Sequence, residues 1–504
     1  MTLLPSDKDR NVVPRWRDFR TTVETGELAG RPRESSPVFD SRGYFEQKLA
    51  RWQHERNVES AADLVASALV LGRHTDARDA ARFLLEPDSE VTAAVKVVAE
   101  LVLAPEDQAG RVVTAELKDI DIEADVVRLR VRALRSQLRD DPRNALAWVD
   151  VSRAYSMLGQ PERSIRAMER ALGLVRGNRF ILRSAARLFV HVDDPLRAHG
   201  LLTRADATRE DPWLVAAEIA VAAVAGRNPM FVRQGRRLLE ARRFPLLHTA
   251  ELTSALATLE MTAGDQKSAR RLFKESLADP TDNSLAQAEW ARTKISGVEV
   301  DPALLNRPRS FEARALQDYK EGRWILAIRQ CEAWLLDEPF SSRPAALGSY
   351  LAGITQRDYR LAEDFANRSL RANPKDPLLL NNLVWALANQ GRIDEARERF
   401  GEITEVSKEL VATILATRGL LRFRTGHPVE GRQSYLAAIE EARRHNHKRV
   451  EALAALHLAR EELLSDVETA TASVRAAAKA CEGVDDLEVA HMLQALTSTS
   501  GKGS

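Results

Sequence analysis

The chain has 504 residues, of which 44% are hydrophobic, 29% charged and only 6% aromatic. Its 74 Lys and Arg side chains balance 73 Asp and Glu side chains, and the net charge of +1 excludes a global field that would attract DNA or an anionic membrane. Two cysteines, Cys331 and Cys481, exclude a disulfide framework, and the most apolar stretch, residues 214–225, is too short to span a bilayer. These features predict a cytoplasmic protein that does not enter a membrane.

The first 140 residues divide by composition. Residues 1–41 contain four prolines and no sustained helical period, which predicts a flexible N-terminal arm. Residues 42–140 carry apolar residues at helical spacing, for example Val126, Leu129 and Ala133, but the helices differ in length. We therefore predict degenerate helical repeats there.

From residue 141 the predicted helices pair more regularly. Residues 141–172 contain Trp148, Tyr155 and Gly159, with Gly159 placed at the turn between two helices. One period later Asp193 stands at the turn position that glycine takes elsewhere. We predict a first block of hairpins over residues 141–297.

The pattern is interrupted once and then becomes more regular. Pro302 and Pro308 predict a joint at 298–309, because proline fits poorly inside a helix. A second block is predicted at 310–482, a capping helix at 483–498 and a mobile tail at 499–504.

A short mark recurs along these blocks: a turn glycine, a small alanine five residues later and a bulky residue four after that. The mark occurs at Gly264/Ala269/Phe273, Gly322/Ala327/Cys331 and Gly391/Ala396/Phe400. Gly322 and Gly391 lie 69 residues apart, which is twice a period of about 34. The mark resembles the tetratricopeptide repeat, most clearly over residues 140–445. The resemblance implies an all-α fold, a right-handed α-α superhelix of helical hairpins in two blocks.

The resemblance also implies a concave groove, lined by the first helix of each hairpin, that binds an extended peptide or a helix. Carrying the groove positions over gives two candidate partner-binding sets, the arginines Arg153, Arg183 and Arg187 and the group Asn381, Asn382 and Trp385. Guanidinium groups suit carboxylates or phosphates, and the two amides with the indole suit a peptide backbone. The alternatives are a solvated helix face for the arginines and a core position for Trp385.

The arm contains a third candidate, in which Trp16 and Phe19 alternate with Arg15, Arg17 and Arg20. Ordering such a segment costs about as much free energy as its rings gain by burial, so its docking is conditional. It is expected either to order on a partner or to fold back along its own solenoid. Stacking on nucleic acid is the less favoured alternative.

No phosphate-binding loop, dinucleotide fingerprint, zinc-protease motif or nucleophile elbow is present, so we predict no enzyme activity, no cofactor and no metal. The predicted function is a protein-protein interaction scaffold or adaptor. The alternative is a regulatory or sensing subunit of a multi-component prokaryotic system, such as anti-phage defence or transcription control, that recognises nucleic acid or a foreign protein. The sequence leaves the oligomeric state open.

Overall fold

The computed structural model describes residues 12–17, 41–71, 73–87, 91, 93–103 and 122–500, and all regular structure in these ranges is helical. The chain divides into two compact units, Leu28–Asp140 and a larger one that combines Asp141–Ser504 with Met1–Glu27. None of the described helices is long and apolar enough to cross a membrane.

The described residues of the smaller unit form five α-helices, and the first four of them share an apolar core. Phe45, Trp52, Leu64 and Leu84 are buried in this core, where the Trp52 and Phe83 rings lie 5.2 Å apart. The helices are α1 (Ser41–His54), α2 (Val58–Leu71), α3 (Arg78–Leu84), α4 (Ala93–Leu103) and α5 (Ile122–Asp140).

The larger unit is a row of helical hairpins. The first helices of its hairpins are α6 (Ala145–Met157), α8 (Arg179–His191), α10 (Pro212–Val224), α12 (Leu246–Thr262), α14 (Asp282–Ala291), α15 (Phe311–Lys320), α17 (Ser342–Ile354), α19 (Pro377–Asn389), α21 (Val411–Arg424) and α23 (Lys448–Leu464). The second helices are α7 (Pro161–Leu174), α9 (Pro195–Arg204), α11 (Val232–Glu240), α13 (Gln266–Ser276), α16 (Trp324–Asp337), α18 (Tyr359–Leu370), α20 (Ile393–Gly401), α22 (Pro428–Arg444) and α24 (Ala470–Ala480). The helix α25 (Leu487–Ser500) ends the row.

Apart from α14, each first helix packs on its own second helix, and neighbouring first helices also pack on one another, as in α6 on α8, α8 on α10 and α19 on α21. The helix α14 lacks a second helix: a single-turn 3-10 helix, Pro302–Asn306, follows it, and α15 packs directly on α14. Val298, Val300 and Leu305 of this connection are buried in the shared core. The prediction of an all-α solenoid of helical hairpins is confirmed.

The turns between paired helices share one backbone geometry. Gly264, Gly322, Gly391 and Gly426 have φ of +89°, +70°, +79° and +79°, and Asp193 takes the same place with φ +59°. Most residues are strained in this left-handed region, whereas glycine is not, which explains why glycine recurs at the turn. The residue after the turn then bonds back to the end of the helix, as Arg392 N–H does to Leu387 O at 3.1 Å.

The final helix, α25, packs on α23 and α24 and reaches much earlier hairpins. Its Glu488 is buried and accepts hydrogen bonds from the hydroxyl groups of Tyr319 and Tyr350. Arg449 pairs with the same carboxylate at 2.6 Å. A buried carboxylate is stable only with such partners, so this cluster fixes α25 in the larger unit.

Close approach of paired helices yields a first prediction. A Cβ atom on Gly419 of α21 would lie 2.6 Å from the buried Tyr435 ring and 3.1 Å from Gly431 O. Gly419→Ala is therefore expected to destabilise the larger unit by about 1–3 kcal/mol in thermal unfolding. The matched control is Gly173→Ala in α7, where a Cβ meets nothing within 4 Å and helix propensity favours alanine. An equal response of both variants would contradict the packing argument.

Candidate peptide-binding site on the first helices

A stretch of the chain's own N-terminal region lies on the larger unit as an extended peptide. Residues 12–17, with sequence VVPRWR, form this arm segment. Val12, Arg15, Trp16 and Arg17 are all buried. Pro14 favours the extended form, because its ring disfavours a helix and restricts the preceding residue. The N-terminal arm, predicted to be flexible, thus contains a segment with a defined position.

Arg15 is held by carboxylates from three helices or helix ends. Its Nη2 lies 2.5 Å from Glu312 Oε2, its Nη1 lies 2.6 Å from Glu338 Oε2, and its Nε lies 3.3 Å from Asp282 Oδ2. Burial disfavours the charged guanidinium, but Glu338, Glu312 and Asp282 outweigh that effect, and the pKa of Arg15 is raised. The charge of Arg15 is therefore matched inside the fold.

Arg17 forms two further ion pairs. Its Nε donates to Asp337 Oδ2 at 2.8 Å, and its Nη1 and Nη2 donate to the two Asp282 oxygens at 3.2 and 2.6 Å. Such forked contacts are among the stronger charge-assisted hydrogen bonds. Burial opposes ionisation of Asp282, yet Arg17 and Arg15 lower its pKa below the ordinary value. This contribution to docking is present above the ordinary carboxyl pKa and is lost as the pH falls through the lowered one.

Trp16 points to an aromatic partner. Its ring is fully buried and lies 5.2 Å from the Phe340 ring. Side chains also hold the segment's backbone: Arg153 Nε donates to Trp16 O at 3.1 Å, and Asn283 Nδ2 donates to Val13 O at 3.0 Å. The site therefore contacts charge, ring and backbone of one extended peptide.

The carboxylates of this site stand at helix ends. Asp282 and Glu312 lie in the first turns of α14 and α15, whereas Asp337 and Glu338 lie at the end of α16. Negative charge is favourable near a helix N-terminus and unfavourable near its C-terminus. The last two carboxylates therefore depend on cations from outside α16. Burial would raise the pKa of Glu338, but Arg15, Arg187 and Arg17 lower it.

The structure brings two of the three predicted arginines to this site. Arg153 binds the arm segment, and the Arg187 guanidinium lies 5.1 Å from the centre of the Phe340 ring. Arg183 is instead buried in an ion pair with Glu251 at 3.0 Å and lies over the Trp213 ring. The contacts described for Arg183 therefore lie outside the arm segment, and partner binding by the three arginines stays a prediction. Phe19, the other ring of the predicted arm motif, lies outside the described residues.

The second predicted set is packed inside the larger unit. Asn382 donates to Ala346 O at 3.1 Å and to Ser349 Oγ at 2.9 Å, so it ties α19 to α17. Asn381 is buried, and neither of its amide atoms has a hydrogen-bond partner among the described residues. Trp385 packs edge-on against Tyr359 at 5.5 Å, as the core alternative expects. Partner binding by these residues stays a prediction, and it requires that the packing opens.

Buried His457, next to Trp385, yields a pH prediction. Burial and nearby Arg460 lower the pKa of His457 to about 3, whereas an unfolded chain takes up this proton near 6.5. The contribution of neutral His457 to the free energy of unfolding is therefore fully present above pH 6.5 and is lost as the pH falls from 6.5 to 3. His457→Leu is expected to remove about 3 kcal/mol of the loss between pH 7 and pH 4. Denaturant unfolding at both pH values measures it, with exposed His427 changed to Leu as the control.

The carboxylates Asp282, Glu312, Asp337 and Glu338 did not emerge from the sequence. They are spread over more than fifty residues without a fixed spacing, and acidic residues are common on any exposed helix. The usable signal was charge complementarity with Arg15 and Arg17. No group of three or more His, Cys, Asp or Glu side chains in the described ranges is arranged to hold a metal ion.

Comparison with known proteins places a repeat in the second block. Residues 365–398, from α18 into α20, match the family model described as tetratricopeptide repeat. The resemblance predicted from the turn glycines is thereby confirmed. No curated protein matches the sequence.

Several solved structures are similar to this chain at low identity. The human IFIT1 dimer with PPP-AAAA is 12% identical, covers 92% of this chain and 100% of its own, and has a TM-score of 0.33. Yeast Tom70 is 12% identical, with 88% and 96% covered and a TM-score of 0.32. The Cut9 and Hcn1 complex is 13% identical, with 90% and 93% covered and a TM-score of 0.35. Scores in this range do not establish a shared fold, so the fold assignment rests on helix order and packing.

Proposed function

We propose that this chain is a non-enzymatic scaffold that holds an extended segment of a partner protein on the first helices of its solenoid. The observation that carries the proposal is the arm segment itself, an extended peptide bound by side chains of α6, α14, α15 and α16. Peptide recognition of this kind combines backbone hydrogen bonds, which give affinity, with side-chain contacts, which give specificity.

The charge of the site favours protein over nucleic acid. Four carboxylates, Asp282, Glu312, Asp337 and Glu338, face the bound segment. Phosphates bring no cation to these four carboxylates, whereas arginine side chains are attracted to them. The alternative, a regulatory subunit of a prokaryotic system that senses nucleic acid, has to use a different surface. A subunit that senses a foreign protein is compatible with the same site.

The same carboxylates do not suit catalysis. A general acid at neutral pH needs a raised carboxyl pKa, whereas the pKa of Asp282 and of Glu338 is lowered by the arginines. Cys331 is fully buried, and burial raises the pKa of its thiol, which opposes a role as a nucleophile. These features support a binding role.

Quantitative affinity purification from the native cell tests the proposal. The wild-type chain is compared with Asp282→Ala/Asp337→Ala and with the control Glu162→Ala/Glu398→Ala, whose side chains are exposed. We expect protein partners that are lost from the site variant, kept by the control and unaffected by nuclease. Retention that disappears with nuclease, or that the site variant leaves unchanged, would refute a protein-binding role for this surface.

A further inference from the structure

We propose that the arm segment competes with a partner for the same site of this chain. The partner is an extended protein segment with an aromatic residue between two arginines. This partner binds only when residues 12–17 are released from the site. This inference rests on the proposed function and names both the class of partner and its regulation. It draws on the contacts of the arm segment alone, which display what the site recognises.

The site distinguishes the two faces of an extended peptide. Side chains of an extended chain alternate, so Arg15 and Arg17 project to one side and Trp16 to the other. On the charged side both arginines reach the same residue, Asp282, at 3.3 and 2.6 Å. On the other side Trp16 meets Phe340. The recognised pattern is therefore basic, aromatic, basic in consecutive positions.

The aromatic side of the site recognises an aromatic ring and does not require the N–H group of an indole. The Trp16 Nε1 atom is buried and has no hydrogen-bond partner among the described residues. A buried donor without a partner opposes binding, so the site has no polar contact that requires tryptophan. A partner with phenylalanine at this position is expected to bind about as well.

The empty site demands a cationic occupant. When the arm segment leaves, Asp337 and Glu338 lose Arg17 and Arg15, while Glu312 keeps Arg343. Asp337 and Glu338 stand at the C-terminal end of α16, where the helix dipole disfavours negative charge, and Glu338 keeps the hydrogen bond from Trp334 Nε1 at 2.9 Å. The charge that the arm segment no longer neutralises favours rebinding of a basic peptide and rejects an acidic one.

Release of the arm segment has to break the contacts described for residues 12–17. The hydrogen bonds described for its backbone come from side chains, Arg153 and Asn283, and not from a continuous backbone ladder. The entropy gained by freeing the segment is comparable to the burial that is lost. A partner segment with the same pattern makes the same contacts and competes against the local concentration of the tethered arm.

Peptide binding to the full chain tests the proposal. The probe is a fluorescent peptide of residues 10–20, RNVVPRWRDFR, measured by anisotropy. The released variant, Arg15→Ala/Trp16→Ala/Arg17→Ala, is expected to bind it at least about tenfold more tightly than the wild type. The control Arg166→Ala/Arg170→Ala, at exposed positions of α7, is expected to match the wild type. Adding Asp282→Asn/Asp337→Asn to the released variant should lower its affinity about tenfold or more.

Further peptides define the pattern. A peptide with phenylalanine in place of Trp16 should bind within about threefold, one with glutamate for both arginines should not bind, and a scrambled peptide should not bind. Circular dichroism and thermal unfolding establish that each variant is folded.

Three outcomes overturn the inference. Equal affinity of the wild type and the released variant shows that the arm does not compete. Binding that survives Asp282→Asn/Asp337→Asn shows that the peptide lies elsewhere. Self-association of the wild type that the released variant lacks, seen by sedimentation, shows that the segment acts between copies instead of in cis. The proposed function survives the first and the third outcomes, whereas the second also removes this surface as its binding site. It fails as well if the folded released variant binds no peptide of the series and none from a displayed random library.

Discussion

Arg15→Ala is expected to abolish docking of the arm segment. The substitution removes the shared cation of Glu312 and Glu338, whose side chains are only 1% and 2% exposed. Removing one partner of a buried ion pair costs about 3–5 kcal/mol, because the remaining charge loses compensation. Glu312 keeps Arg343 and Glu338 keeps the hydrogen bond from Trp334 Nε1, but both carboxylates lose the cation that they share. Since the segment can undock, that cost appears as release and rehydration of the site rather than as unfolding of the solenoid.

Hydrogen exchange of a peptide that covers residues 12–17 measures this release. In Arg15→Ala we expect the protection of these amides to fall by roughly a hundredfold or more, down to that of a free peptide, while α19 and α21 keep theirs. Arg15→Lys is expected to fall between, because an ammonium donates from a single nitrogen and cannot reproduce the planar fork whose Nη1 and Nη2 reach Glu338 and Glu312. Arg170→Ala, an exposed arginine, is the matched control. Unchanged protection in Arg15→Ala would show that the segment is held by Trp16 and the backbone alone.

Glu251→Ala is expected to destabilise the larger unit itself by about 3–5 kcal/mol. Its carboxylate pairs with Arg183, and the two side chains are 2% and 3% exposed. Without Glu251 the Arg183 guanidinium keeps its contacts with Trp213 O at 3.3 Å and with the Trp213 ring, but it loses the carboxylate that it pairs with. Unlike the arm, α8 and α12 cannot separate without opening the stack, so the loss is expressed as unfolding.

Thermal unfolding of the full chain and hydrogen exchange in α8 and α12 measure the second effect. The apolar pair Arg183→Met/Glu251→Leu is expected to recover most of the loss, because it removes both charges and keeps volume. The exposed pair of Arg236 and Glu260 is the matched control, and Arg236→Ala should change stability by less than about 1 kcal/mol. If Glu251→Ala had no larger effect than Arg236→Ala, Arg183 would have to be solvated or paired otherwise.

Hairpin architecture was predictable because it is written into short stretches of sequence. A turn needs one residue that tolerates positive φ, and the helices beside it need apolar residues at helical spacing. Gly322 and Gly391 therefore indicate their turns from the neighbouring sequence alone. The same local logic located Asp193, a turn residue that is not glycine, but it did not find Arg357 and Asp466, which have positive φ at two later turns. It also gave Arg153 and Arg187 as first-helix residues near a ligand face.

The site itself was only half predictable. The alternation of Trp16 with Arg15 and Arg17 indicated a binding motif in the arm, and docking on the solenoid of the same chain was one of the two predicted outcomes. Its acceptors were not found, since Asp282, Glu312 and Glu338 come from separate helices and meet only when α14, α15 and α16 pack together. Arg183 shows the reverse case: it has the right spacing, but its charge is satisfied by Glu251.

The sequence by itself determined the repeating hairpins, the turn chemistry and the basic and aromatic character of the arm. Only the tertiary structure decided that the arm lies on an acidic surface, which arginines face it and which are buried elsewhere. The physical reason is range: backbone dihedral preferences and helical periodicity act within about one repeat, whereas pairing of buried charges depends on which distant helix ends the stack brings within about 3 Å.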